Sequence, residues 1–122
     1  MKQEKKQLLL KDLCARLPYR VKVKSSRRRS LVTLSLDVIT DFHLGCSVKP
    51  YLRPLSSMTE EEKEKMYHDC YIVSIDFDRK TTDMVAVPNS TKIVDWLNAH
   101  HFDYRNLIEK NLAIDCTGLN IY

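Results

Sequence analysis

Four cysteines and four histidines are the side chains with the widest chemical reach in this chain, and their spacing tests for a metal site. His43 and Cys46 form an HxxC pair, His68 and Cys70 an HxC pair, and His100 and His101 are adjacent. A structural zinc site is usually built from two close pairs, rich in thiolate. No CxxC occurs, and residues i and i+2 at a helix end point apart. The expectation is packed cysteines, histidines that cap or pair at the surface, and no metal or other cofactor. Asp76 and Asp78 fall on one strand face, and Asp37 could join them from a neighbouring strand. Close carboxylates can bind a divalent ion or move protons, but this face is the one assigned to solvent. Phosphate loops and nucleophile elbows need several glycines, and only Gly45 and Gly118 are present. No catalytic residue is marked, so the expectation is a protein that is not an enzyme.

Charge gives a stronger signal. The net charge of +4 conceals an asymmetry. Residues 1–29 hold eleven Lys and Arg against Glu4 and Asp12, and the remainder is net acidic. Arg27, Arg28 and Arg29 are the densest basic cluster, at the expected tip of a hairpin. There they could clamp phosphates or enter a groove; the alternative is a solvated helix face and a charged turn. The candidate nucleic-acid-binding residues are Lys22, Lys24, Arg27, Arg28, Arg29 and Arg105.

These side chains need elements to position them. Leu9, Leu10, Leu13, Cys14 and Leu17 follow the spacing of one helix face and predict an amphipathic helix over 3–17, ended by Pro18. A strand is expected over 19–24, with Ser25–Arg29 as the tip. Alternation of Val32, Leu34, Leu36 and Val38 predicts a second strand over 30–39, as in an antiparallel sheet with one face on the core. Asp41–Gly45 should turn, and Cys46–Leu52 should form a further strand. Thr59 and Glu62 make a capping box for a helix over 60–69. Tyr71, Val73, Ile75 and Phe77 alternate as a strand, with Asp83–Val87 returning as its hairpin partner. Ser90 or Asn89 should cap a helix over 91–100, and Asp103 a second over 104–110, with Asn111 in the left-handed position that closes it. The break at His101–Asp103 resembles a DNA-reading helix–turn–helix in spacing. It would offer Tyr104, Arg105, Asn106 and Lys110, but Asp95 and Asp103 disfavour phosphate nearby, so an ordinary helical corner is expected.

Three segments resemble one family. Leu9-Leu-Lys-Asp-Leu-Cys-Ala-Arg-Leu-Pro-Tyr19, Val48-Lys-Pro-Tyr-Leu-Arg-Pro-Leu-Ser-Ser-Met-Thr-Glu-Glu-Glu62 and Trp96-Leu-Asn-Ala-His-His-Phe-Asp-Tyr-Arg-Asn-Leu-Ile-Glu-Lys-Asn-Leu-Ala113 are similar to motifs of small uncharacterised proteins from phages and mobile elements of anaerobic gut bacteria. That family typically has glycine where this chain has Arg20, Asn106 and Asn111. It has no established activity, so the resemblance implies no catalytic residue. It implies a setting: an accessory protein of a mobile element, acting in a bacterial cytoplasm on host or phage components.

The fold expected is a single α+β domain of 122 residues: an antiparallel sheet of four or five strands with helices on one face and a C-terminal helical pair. Its core would use Leu13, Val32, Leu34, Leu36, Val73, Ile75, Phe77, Trp96, Leu97 and Ile108. No apolar run approaches the roughly 18 residues of a membrane span, and Leu8–Leu10 is too short for a signal-peptide core. The chain is therefore expected in the cytoplasm, without a membrane partner and with reduced thiols. The leading functional expectation is a protein-binding module, with Tyr51 and Arg53 as the first partner-binding candidates. The alternative is a nucleic-acid-binding accessory protein using the basic N-terminal region and hairpin.

Overall fold

A computed structural model describes residues 3–75 and 84–122, with residues 71–75 and 84–88 described by their backbone. Phe77, Asp76 and Asp78 lie outside the described residues, and so does the turn expected at Asp78–Thr82. The elements run α1 (Gln3–Arg16), β1 (Lys22–Ser25), β2 (Val32–Thr33), α2 (Leu36–His43), β3 (Val48–Pro54), α3 (Glu60–Cys70), β4 (Tyr71–Ile75), β5 (Met84–Pro88), α4 (Ser90–Ala99), β6 (Phe102–Asp103) and β7 (Ile114–Asp115). The chain is mixed α and β. It divides into two compact units, one of Met1–Ser57 with Asn98–Tyr122 and one of Met58–Leu97. No helix among the described residues is long and apolar enough to cross a membrane.

The first unit is built on a five-stranded sheet in the order β2-β1-β3-β6, with β7 also pairing β3. β1 runs antiparallel to β2 and to β3, whereas β6 and β7 lie parallel to β3. The core comprises Leu9, Leu13, Val21, Val23, Leu34, Val38, Val48, Leu52, Leu107, Leu112 and Ala113. Helix α1 buries Leu9, Asp12, Leu13 and Arg16, the i, i+3, i+4, i+7 stripe of one helix face. Cys14, expected on that face, is exposed; it falls outside the stripe.

Two expected elements form differently. The strand expected over 30–39 is paired only at Val32–Thr33, and the chain then enters α2. Ser35 is the extended residue before that helix, and Val38, Asp41 and Phe42 share its inner face. Leu34 and Val38 are buried as expected. Leu36, expected in the core, is 71% exposed, because a helix carries residue 36 about 200° from residue 38 whereas a strand keeps them together. Val32 and Ile108 are half-buried. The second member of the C-terminal helical pair is absent, since residues 104–113 form successive turns. Asn106 sits at φ 57°, a left-handed conformation that interrupts a right-handed helix. Asp103 still caps the segment: its carboxylate accepts the N–H of Arg105 at 3.3 Å, Leu107 at 3.0 Å and Ile108 at 3.0 Å.

The second unit contains α3, the β4–β5 hairpin and α4 as far as Leu97. The capping box forms, with the Glu62 N–H on Thr59 Oγ1 and the Thr59 N–H on Glu62 Oε1, both at 3.1 Å. β4 and β5 pair antiparallel from Tyr71↔Pro88 to Ile75↔Met84. Asn89 caps α4 through the Lys92 N–H at 3.1 Å. Cys70, Trp96 and Leu97 are buried.

Candidate binding face

β1 and β3 each alternate, and their register aligns the alternation. Val23 and Ser25 of β1 are buried, as are Val48, Pro50 and Leu52 of β3. Lys22 and Lys24 therefore point to the opposite side of the sheet, as do Lys49, Tyr51 and Arg53. Lys24 pairs directly with Lys49, which fixes all five on one face. Among the described residues no carboxylate occupies these strand positions. Lys22 Nζ donates to Thr33 Oγ1 at 2.6 Å, and Lys49 Nζ to Asn111 Oδ1 at 3.3 Å. The Arg53 guanidinium lies 4.2 Å from the centre of the Phe102 ring and donates to the Ser57 carbonyl at 3.5 Å.

A tyrosine inserts where β1 and β3 part. Their last paired residues are Val23 and Pro50, so the next bond would join the Lys22 N–H to the Tyr51 carbonyl. Instead the Lys22 N–H donates to the Tyr122 hydroxyl at 2.7 Å, and that hydroxyl donates to the Tyr51 carbonyl at 2.8 Å. The Tyr122 ring stacks on His101, with centroids 3.7 Å apart. Burial first, then the charges of Arg16, His100, Arg53 and Lys22, lower the His101 pKa to about 4. A cleft of about 280 Å³ opens beside this stack, its lining including Arg53, Ser57, Cys116, Thr117 and Tyr122. Burial pushes the Cys116 thiol pKa up, which disfavours the thiolate a nucleophile needs.

The other basic candidates are drawn elsewhere. Arg28 Nε and Arg27 Nη1 donate to the buried carboxylate of Asp41 at 3.0 and 3.5 Å, and Ser25 Oγ lies 3.4 Å from it. Arg29 is exposed. Arg105 Nη1 donates to Asp12 Oδ1 at 2.7 Å, and the other oxygen of Asp12 takes Arg16 Nε at 2.8 Å. Both guanidinium groups flank the Tyr104 ring, at 5.2 Å for Arg16 and 4.7 Å for Arg105. The Tyr104 hydroxyl donates to Asn98 Oδ1 at 3.0 Å. Arg16 also reaches the Phe102 carbonyl at 2.6 Å, while the Arg53 N–H bonds the His101 carbonyl at 2.8 Å. Thus the three motif segments meet at Asp12 and Arg16, at Arg53, and at His101–Arg105.

Lys22 and Lys24 from the basic set and Tyr51 and Arg53 from the partner set share the sheet face. Arg27 and Arg28 form a separate pair, and Arg105 belongs to a buried network. The contributions of Lys49 and Tyr122 were missed. Strand alternation marks Lys49 once the start of β3 is known, but no local pattern marks Tyr122. Among the described residues, no three His, Cys, Asp or Glu side chains gather in an arrangement that could hold a metal ion. No family model, curated protein or solved structure matches the chain.

Proposed function

We propose that this chain is a small non-enzymatic accessory protein of a phage or mobile element, working in the cytoplasm as an interaction module for an acidic partner protein. One observation carries the reading: Lys22, Lys24, Lys49, Tyr51 and Arg53 share a sheet face whose strand positions hold no carboxylate among the described residues. Such a face attracts a complementary acidic surface and speeds its docking. Tyr51 adds rigid apolar area of the kind that anchors interfaces.

Nucleic acid is the second reading, supported by Lys22 and Lys24 from the basic segment. The hairpin tip gives it less support, since Arg27 and Arg28 are already bonded to Asp41. Affinity purification from host-cell lysate, with and without nuclease, separates the two. The protein reading expects a nuclease-resistant partner that is lost from a Lys24→Glu, Lys49→Glu variant. Capture that survives charge reversal would overturn the role of this face. Capture abolished by nuclease, with affinity falling steeply between about 50 and 200 mM salt, would favour nucleic acid.

A further inference from the structure

We propose that the cleft at the joined ends of β1 and β3 is a phosphate site that receives a phosphorylated side chain of the partner protein. This deepens the reading above and rests on it. The cleft, about 360 Å³ in volume, is lined by Lys24, Ser26, Ser47, Lys49 and Ile114. Its geometry follows from register. Lys24 and Lys49 are paired, and in an antiparallel ladder paired Cα atoms lie only about 4.5–5.5 Å apart. Two residues along, Ser26 and Ser47 return to the same side. They are held opposite each other by the Ser26 N–H on the Ser47 carbonyl at 2.9 Å and the Ser47 N–H on Ser26 Oγ at 3.0 Å.

The donor chemistry is one-sided. Ser26 Oγ accepts from the Ser47 N–H and keeps its own proton to give. Lys49 Nζ uses one of its three protons on Asn111 Oδ1, leaving two. Lys24 is exposed, and among the described residues none that lines the cleft is a carboxylate. Two like charges directly opposite destabilise a strand pair, and an anion between them reverses the sign of that interaction. Two ammonium groups and two hydroxyls provide donors to the acceptor oxygens of a phosphoryl group.

A monoester fits better than a polynucleotide. The two ammonium charges of the paired Lys24 and Lys49 balance the roughly −1.5 to −2 charge of a phosphorylated side chain. A polynucleotide needs further cations along its track, whereas Arg27 and Arg28 already pair with the carboxylate of Asp41.

The test is an NMR titration of the full ¹⁵N-labelled chain at low salt, with inorganic phosphate and then N-acetyl-phosphoserine amide. Saturable shifts are expected at the amides of Lys24, Ser26, Ser47 and Lys49. Binding should tighten as the pH rises through the second phosphate pKa of about 6, because the dianion forms while lysine stays charged. Lys24→Gln and Lys49→Gln should each weaken binding by about tenfold, the scale of one charge-assisted hydrogen bond. Ser47→Ala should weaken it less, and Lys65→Gln on α3 should leave it unchanged. Absence of saturable shifts would overturn the proposal, as would unchanged binding by the double Lys→Gln variant. So would an unphosphorylated thymidine oligonucleotide that shifts these amides at lower concentration than phosphoserine does. If phosphate binding fails while the Lys24→Glu, Lys49→Glu variant still loses its partner, only the phosphate site falls and the binding face stands.

Discussion

Replacing Asp12 with Asn removes the counter-charge from two arginines at once. Asp12 is fully buried and accepts from Arg16 Nε at 2.8 Å and Arg105 Nη1 at 2.7 Å. Arg16 is equally buried, and its Nη1 has no partner among the described residues. In the variant, the Phe102 carbonyl and the amide oxygen of Asn remain as acceptors, but no carboxylate does. Breaking a buried pair from one side costs about 3–5 kcal/mol, and one retained neutral hydrogen bond returns about 1 kcal/mol. The expected loss is thus about 2–4 kcal/mol, a large fraction of the roughly 5–15 kcal/mol that stabilises a typical domain. Urea unfolding followed by circular dichroism should show the midpoint falling by about 1–2 M for a slope of about 2 kcal/mol/M. The double variant Asp12→Leu, Arg16→Met removes the fully buried pair and leaves only the less buried Arg105 without its carboxylate, so it should be less destabilised than Asp12→Asn, which strands both arginines. A loss below about 0.5 kcal/mol for Asp12→Asn, within ordinary surface-mutation scatter, would refute the reasoning. So would a double variant weaker than the single one.

Arg20 adopts φ 56° and ψ 41° after the turn at Leu17–Tyr19. The left-handed conformation costs an L-residue about 1–2 kcal/mol, and glycine's extra freedom when unfolded returns about 0.5–1 kcal/mol of that gain. Arg20→Gly should therefore stabilise by up to about 1 kcal/mol in thermal or urea melts, and Arg20→Ala should not. His101 binds its proton at a pKa of about 4 in the folded chain against an ordinary 6.5. The unfolded chain therefore holds more protons between these values, so this contribution is full above pH 6.5 and lost as the pH falls towards 4. Melting temperatures across that range should drop on acidification, and less steeply in His101→Phe. Asp41→Asn should release Arg27 and Arg28, tightening binding to duplex DNA at low salt and steepening its salt dependence, measured by fluorescence anisotropy.

Local chemistry was legible in the sequence wherever its partners lie close along the chain. The Thr59–Glu62 box, the Asn89 cap and the β4–β5 hairpin each depend on neighbours within a few residues or one short connection. Residues 30–39 were misread because Leu34 and Val38 satisfy both a strand period and an i, i+4 helix period. Asp41 takes an inward position on α2, where Arg27 and Arg28 reach it from the preceding hairpin. The expected helix at 104–110 had a correct cap in Asp103 but is interrupted at Asn106. Arg20, Asn106 and Asn111 all have φ between 56° and 60°, in the left-handed region that favours glycine. In the candidate site, Lys22, Lys24, Tyr51 and Arg53 were found as separate sets, since their union requires the β1–β3 register. Asp12 and Arg16 fall on the Leu9–Leu13 stripe, and that spacing could have marked them as a buried pair. The Tyr122 hydroxyl reaches Tyr51 across 71 positions, a contact no local pattern encodes.

Lysine footprinting of the partner complex tests the binding face most directly. The captured complex and the free chain are acetylated briefly after nuclease treatment, and each lysine is quantified by mass spectrometry. Protection should concentrate on Lys22, Lys24 and Lys49, while Lys5, Lys6 and Lys11 on α1 and Lys65 on α3 react as they do in the free chain. Protection centred on the α1 lysines, with Lys24 and Lys49 as reactive as before, would contradict the account.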